Sequence, residues 1–514
     1  MRMIALAIGF WALADDSTTT AERWVRFARL AWATGYRVFH HIGYAVSQKN
    51  NHALSEACGL MLVAHLFPEF REAARWGETG RAVFARELRR QIYDDGSYVQ
   101  HSMNYHRVML DVSLAAFRLA ELAGRPFERD LYERVGRAGE FLYQMTDADT
   151  GRVPNYGNND GAYVLPLSEC AFGDYRPVVQ AVHYLVHRER LLPSGPWDEE
   201  LVWLFGEDVT SHGATPARPG PRSREDDPPQ SPLVKGGGYL PASPLGKGGC
   251  CDGMSVPHPK GWGTRESRAF EAGGYYTLRR GESWAMVRCH TYRDRPGQCD
   301  PLHVDLWWRG VNVLRDCGTF RYYVPERADV EQYFASLAAH NTVEIDGVEP
   351  YERMSRFLWF PWPRAEVRRF ETGGEAPRFE GERYDYDRKP WSVLHRRAVT
   401  ARTDEMWEIE DELISTGDGG RTSVMRWHFC DAPFEVDASR AAMELRTEKG
   451  VVRVGVDVGR STLRRFEVIR GRDEPGRVQG FASDVYGEQI AIPTLEVEVS
   501  GELPIRVVTR IELG

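Results

Sequence analysis

The apolar period of this chain changes once. Before about Gly206 apolar residues recur every 3.6 positions, and beyond Trp262 they alternate every second position. A helix and a strand bury differently spaced faces, so the two stretches must build separate layers or domains. At 514 residues the chain is also too long for one ordinary domain. The pattern predicts a multidomain α + β protein: a helical domain over 1–206, a linker or insertion over 207–262, and an antiparallel β-sandwich over 263–514.

In the first part, Ala21–Val46 is rich in Ala, Arg, Leu and Trp. Asn51–Phe67 places Leu54, Ala57, Leu60, Met61 and Ala64 on one face, and Pro68 stops that helix. Further helices are expected over 71–92, ending at the turn Asp94-Asp95-Gly96-Ser97, and over 104–123, ending at Gly124. Shorter ones follow at 128–145, 175–191 and 198–205, together suggesting stacked antiparallel pairs. The segment 207–262 is dense in Pro, Gly and Ser and repeats itself, Ser231-Pro-Leu-Val-Lys-Gly-Gly237 against Ser243-Pro-Leu-Gly-Lys-Gly-Gly249. Such a composition buries too little apolar surface to offset chain ordering, so a flexible linker without chemistry is expected. Beyond it, runs such as Tyr275–Leu278, Ser283–Cys289, His303–Trp308, Thr342–Ile345, Val393–Thr400, Met406–Ile414 and Ser423–Phe429 are β-branched and aromatic, bounded by Gly, Asp and Asn. Many short strands without helices between them imply an antiparallel sandwich or jelly roll.

Composition narrows the function. The net charge of −9 argues against wholesale nucleic-acid binding, because a protein that tracks phosphates carries a basic balance. The eight cysteines show no CxxC pair and read as mostly unpaired thiols. No apolar run reaches the roughly 18 residues of a membrane span. Arg2 and the apolar Met3–Ala14 have the outline of a short signal peptide; the rival reading is a helix ended by Asp15 and Asp16, and the short length favours it. Compartment and oligomeric state are left open.

Two polar clusters open helices whose other positions read as core. In Asn50-Asn51-His52, Asn50 is a plausible N-cap and Asn51 and His52 fall in the first turn. Asn104-Tyr105-His106 begins the helix that ends near Ala123. One helix lies between, so an up-down-up order would make the two parallel and put both N-termini on one rim, where their dipoles favour an anionic ligand. Each residue also has a plain alternative: a cap for the asparagines, a surface or capping role for His52 and His106, a core aromatic for Tyr105.

Longer motifs carry a resemblance. Asn50-Asn51-His52-Ala-Leu-Ser-Glu-Ala-Cys-Gly-Leu60, the Leu66-Phe67-Pro68 stop, Asp95-Gly96-Ser97, Asn104-Tyr105-His106 and Asn155-Tyr-Gly-Asn-Asn-Asp-Gly161 resemble the helical domain of the heparinase II/III-like polysaccharide lyases. Leu302-His303-Val-Asp-Leu-Trp-Trp-Arg-Gly310, Asp316-Cys-Gly-Thr-Phe320 and Ala339-His340-Asn-Thr-Val-Glu-Ile-Asp-Gly347 resemble that family's C-terminal sandwich. The resemblance implies an (α/α) toroid followed by a β-sandwich, with a cleft that cuts acidic polysaccharides, an alginate or a glycosaminoglycan, by β-elimination. A uronate C5 proton becomes removable only once its carboxylate is neutralised. The resemblance gives that task to Asn51 and His52. It makes Tyr105 the acid on O4, and also the base when proton and leaving group share a face, with help from His106 or a β-domain histidine. His303 is a second candidate base; His106, Asn158 and Asn159 are candidate substrate-binding residues.

The chain departs from the family in two places. Relatives commonly have histidine at position 298, which with the counterparts of Asp316 and His340 forms a small metal site. Gln298 is a poor zinc ligand, so no cofactor is required and a structural zinc on Asp316 and His340 is disfavoured, unless His303 compensates. Relatives also carry further helices before Asn50, so the toroid is expected to be incomplete. Two other classes follow: a decayed or truncated glycan-binding protein of the same fold, and a toroid glycoside hydrolase. The hydrolase needs paired carboxylates, and only Asp94, Asp95 and Asp160, all in turn sequences, are at hand.

Overall fold

The computed structural model describes residues 1–206, 209, 262–294, 296–374, 376–415 and 419–514. The repeat-bearing linker expected at 207–262 lies outside the described residues apart from Val209 and Trp262. By packing, the chain divides into two units. Met1–Val99, His106–Tyr143 and Tyr163–Thr264 form the first; Gln100–Tyr105, Gln144–Ala162 and Arg265–Gly514 form the second. Two short segments from the helical half of the sequence thus pack with the strands.

The helices are α1 (Arg2–Ala12), α2 (Ala21–Ser47), α3 (Asn51–Leu66), α4 (Ala73–Gln91), α5 (Met103–Leu122), α6 (Arg129–Met145), α7 (Arg176–His187) and α8 (Glu199–Phe205). Their ends follow local chemistry. The Thr20 side chain accepts the Arg23 N–H, and Asn50 Oδ1 accepts the His52 N–H at 3.1 Å, so Asn50 is the N-cap of α3. Helix α3 stops one residue short of Phe67, before Pro68. A Cβ added at Gly80 would lie 2.6 Å from the Ala57 carbonyl, and one at Gly77 would lie 3.2 Å from Ala64. As the α4 positions rise the α3 positions fall, so the two helices are antiparallel and closely packed. Met3, Phe27, Ala31, Leu60, Val63 and Trp76 form the core of α1–α4. Asp95-Gly96-Ser97 is a structural turn. Asp95 Oδ1 accepts the Ser97 N–H at 3.0 Å, and Gly96, at φ +90°, lies against the Arg137 carbonyl, where a Cβ would come within 2.1 Å.

The second unit is built of antiparallel sheets. Five strands, Arg268–Phe270, Tyr275–Arg280, Ser283–Arg288, Val304–Trp308 and Val311–Leu314, form a meander in sequence order. Eight strands form the largest sheet, with Met406–Ser415 between Ile505–Leu513 and Val393–Thr403 at its centre. A four-stranded sheet places Val343–Ile345 beside Gly420–His428. Val287, Leu306, Trp407, Ile409, Trp427, Val497 and Ile511, drawn from all three sheets, share one apolar core, which makes this unit a β-sandwich. One short helix, α9 (Ala328–Ala335), interrupts the strands, although the alternating pattern alone implies none there.

Candidate active site

Within the second unit, two loops distant in sequence meet at Tyr105. The Tyr105 hydroxyl donates to Asp160 Oδ2 at 2.8 Å, and the Tyr322 hydroxyl lies 3.3 Å from the Tyr105 oxygen. The approach is fixed by backbone. Ser102 Oγ accepts the Tyr105 N–H at 3.1 Å and donates to the Asn158 carbonyl at 2.5 Å, while the Met103 N–H donates to the Tyr156 carbonyl. Gly157, at φ +84°, allows this contact, since a Cβ there would lie 2.3 Å from the His101 carbonyl. The Asn159 N–H donates to Thr319 Oγ1 at 2.9 Å, tying the same loop to the segment that carries Tyr322.

Burial pushes the Tyr105 phenol well above the ordinary tyrosine range, and the Asp160 carboxylate beside it adds to the rise. Tyr322 is raised in the same way, first by burial and then by Tyr105. The pair therefore stays protonated at neutral pH. Tyr105 is a phenol with a proton to give and a carboxylate beside it able to receive one.

A second polar cluster lies in the same unit. His303, Asp316 and His340 are each at most 1% exposed. Each offers one ligand atom, and the three atoms lie within 4.8 Å of one another. His340 Nδ1 is 2.7 Å from Asp316 Oδ2, and His303 Nε2 is 3.7 Å from the same oxygen. His303 Nδ1 accepts the Asn341 N–H at 3.0 Å, which turns Nε2 toward Asp316 and Asp305. Burial alone would raise Asp316; His340, His303 and the Gly318 N–H outweigh it and hold the carboxyl below its usual range.

These positions revise several expectations. His106 is a core residue. Its Nε2 bonds the Ala138 carbonyl at 2.8 Å, its ring stacks on Phe141, and burial lowers it to about 4, so it neither binds substrate nor assists Tyr105. Complete burial likewise removes His303 from the candidate bases; it stands in the metal-type cluster, where position 298 was expected. Gln298 instead lines a cavity with Asn158 and Tyr322. Asn159 is buried and holds its own loop, accepting the Gly161 N–H, whereas Asn158 faces the cavity. In the first unit Asn51 is buried and His52 exposed at the start of α3. The sequence offers Asp160 only as a turn acid for the hydrolase alternative and gives Tyr322 no role. Both lie within or just after the quoted motifs, but nothing in the sequence pairs positions 55 and 217 residues from Tyr105.

An N-terminal helical domain of antiparallel α-helices and a C-terminal antiparallel β-sandwich, with the phenol–carboxylate pair held by loops of the sandwich unit, define the class of fold. Comparison with known proteins places the chain within that class. Residues 29–163 match the model of the heparinase II/III N-terminus, and residues 263–483 match the heparinase II/III-like C-terminal domain. The chain belongs to the heparinase II/III-like family.

Among its relatives, a heparin-sulfate lyase of Bacteroides stercoris is 34% identical over 79% of this chain and 50% of its own length. One of Bacteroides thetaiotaomicron is 22% identical over 76% of this chain and 47% of its own. The chain thus spans about half the length of these curated relatives. The fold is shared with the crystal structure of heparinase III, at 16% identity and a TM-score of 0.64, over 99% of this chain and 67% of that one. It is also shared with heparan sulfate lyase HepC of Pedobacter heparinus, at 17% identity and a TM-score of 0.57, over 93% and 62%.

Proposed function

We propose that this protein is a polysaccharide lyase that cleaves a glycosaminoglycan by β-elimination, with Tyr105 as the proton-transfer residue. The observation that carries the reading is the half-buried Tyr105 hydroxyl donating to Asp160 at 2.8 Å beside a second phenol. Elimination needs the uronate carboxylate neutralised, the C5 proton removed and O4 protonated. The first task calls for an amide or an imidazole, groups that Asn51 and His52 carry at the start of α3. A phenol kept protonated can take the C5 proton only by passing its own to Asp160. It then gives the C5 proton to O4 as the bond to the leaving sugar breaks, and Asp160 hands its own proton back to the phenolate and is a carboxylate again. Asp160 is thus a positioning and proton-holding residue rather than half of a hydrolase pair, since the group facing it is a phenol. Asn158 contributes an amide toward the sugar.

The names of the relatives favour a heparan-type glycosaminoglycan over alginate. The elimination itself requires no cofactor. His303, Asp316 and His340 fit a small divalent cation such as zinc in residue type and separation, and among the described residues the buried His340 Nε2 has no hydrogen-bond partner. A zinc held there would tie together the three loops that carry His303, Asp316 and His340, a structural rather than a chemical service.

The test is ultraviolet absorbance during incubation with heparan sulfate, its unsulfated backbone, hyaluronan and alginate. Elimination conjugates a new double bond with the carboxylate and raises the absorbance; hydrolysis does not. A rise with a glycosaminoglycan that is lost in Tyr105→Phe supports the reading. Silence of the folded protein on every polymer overturns it.

A further inference from the structure

The cavity beside the phenol pair has a charge that the proposed elimination does not use. It is a cleft open to solvent, and Asn158, Gln298 and Tyr322 form one side of it. Thr319 and three arginines, Arg321, Arg353 and Arg356, supply the rest of its polar lining, against a single acid, Glu331. Glu331 is already committed, 3.0 Å from Arg353. Among the described residues Arg321 and Arg356 have no carboxylate within ion-pair distance, and both are exposed at the rim. Most other arginines of this unit are paired, as Arg368, Arg396, Arg397 and Arg426 are. In a chain of net charge −9, two uncommitted guanidiniums on one opening are a local positive field.

The opening is also built onto the phenol pair. Arg353 and Arg356 belong to the hairpin of strands Glu352–Ser355 and Leu358–Phe360. Phe357, at its tip, packs edge-on against Tyr322 with ring centroids 4.9 Å apart, and Tyr322 touches Tyr105. The Arg356 guanidinium lies 5.5 Å over the Tyr323 ring, which is 61% exposed and offers an apolar face next to the charge. Planar guanidinium forks with amide donors between them match a multi-oxygen anion, and an exposed aromatic face suits a sugar ring.

Resting on the lyase reading, we propose that Arg321 and Arg356, with the Asn158 and Gln298 amides, form a subsite for an oxyanion carried by the glycan on a sugar flanking the one that is cleaved. The oxyanion is a sulfate or the carboxylate of a neighbouring uronate. The subsite selects densely anionic stretches of polymer and does no chemistry.

The test is the double variant Arg321→Gln/Arg356→Gln, which leaves the Arg353–Glu331 pair intact, compared with Arg440→Gln, an exposed arginine on a distant turn. Steady-state rates are measured on heparan sulfate and on its unsulfated, N-acetylated backbone. Binding of both polymers is measured by affinity electrophoresis in the Tyr105→Phe background, which needs no turnover. A rise in KM of about tenfold or more with kcat within about twofold, matched by weaker binding, supports the subsite. Confinement of that effect to heparan sulfate assigns the oxyanion as sulfate; an equal effect on both polymers assigns it as carboxylate. A double variant that folds, cleaves and binds like the wild type overturns the subsite while leaving the lyase reading standing. Loss of binding by the double variant in a protein that cleaves nothing keeps the subsite and rejects the lyase.

Discussion

Replacing Gly157 by alanine should separate Tyr105 from Asp160 without touching either side chain. A Cβ there would sit 2.3 Å from the His101 carbonyl and 2.6 Å from Ser102 Cα, about 1 Å inside ordinary contact, and both neighbours are backbone. The residue would also occupy φ +84°, which costs a non-glycine roughly 1–2 kcal/mol. Overpacking of this kind adds roughly 1–3 kcal/mol. For a unit of this size a total of about 2–5 kcal/mol lowers the unfolding midpoint by roughly 3–9 °C. The strain relaxes by parting the 155–161 loop from residues 101–102. That loosens the 2.5 Å bond from Ser102 to the Asn158 carbonyl and the 2.8 Å bond from Tyr105 to Asp160. A misplacement near 1 Å at a reacting group costs about 100-fold in rate. The assay pairs kcat on heparan sulfate with calorimetry. Gly476→Ala is the control, because Gly476 also has a left-handed φ, +77°, but nothing within 4 Å of its Cβ position. Gly157→Ala with wild-type kcat and the small midpoint change of Gly476→Ala would refute the claim that this glycine sets the phenol–carboxylate geometry.

Tyr105→Phe should lower kcat by about 10²- to 10⁴-fold with little change in KM, as measured by steady-state kinetics. Asp160→Asn should lower kcat by a comparable factor, because an amide cannot take the phenol's proton; near-normal kcat in that variant would remove Asp160 from the relay. Zinc should raise the unfolding midpoint of metal-stripped protein, and His303→Ala should abolish the rise; no response in the wild type would reject the cation site. Burial holds His106 and His395 near 4, below the ordinary 6.5. As pH falls through 6.5 the unfolded chain gains protons that the folded chain refuses, so stability present above 6.5 is lost progressively down to about 4, on the order of 1–3 kcal/mol per histidine. Asp111 and Glu349, raised by burial to about 7, pull the other way, so the check is a difference: the midpoint should fall more between pH 7.5 and pH 5 in the wild type than in His106→Gln, and identical profiles would contradict the neutral, buried assignment.

What the sequence determined by itself was everything that rests on neighbours in the chain. The switch of period separated helices from strands, Asn50 was legible as a cap, Pro68 as a stop, and Asp95-Gly96-Ser97 as a turn, because each depends on a few adjacent residues. Ordered motifs also carried the family. Tertiary structure alone decided which polar residues face outward. His106 lies one position from Tyr105, yet the turn of α5 sends it into the core beside Ala138 while Tyr105 meets Asp160. His303 stands in the buried cluster and Gln298 on the cavity wall, because both lie in the loop ahead of strand Val304–Trp308, whose path no local pattern fixes. Tyr322 and the uncommitted arginines acquire meaning only through contacts that span hundreds of residues. Such contacts depend on how sheets and loops close around one another, and no local pattern records that closure.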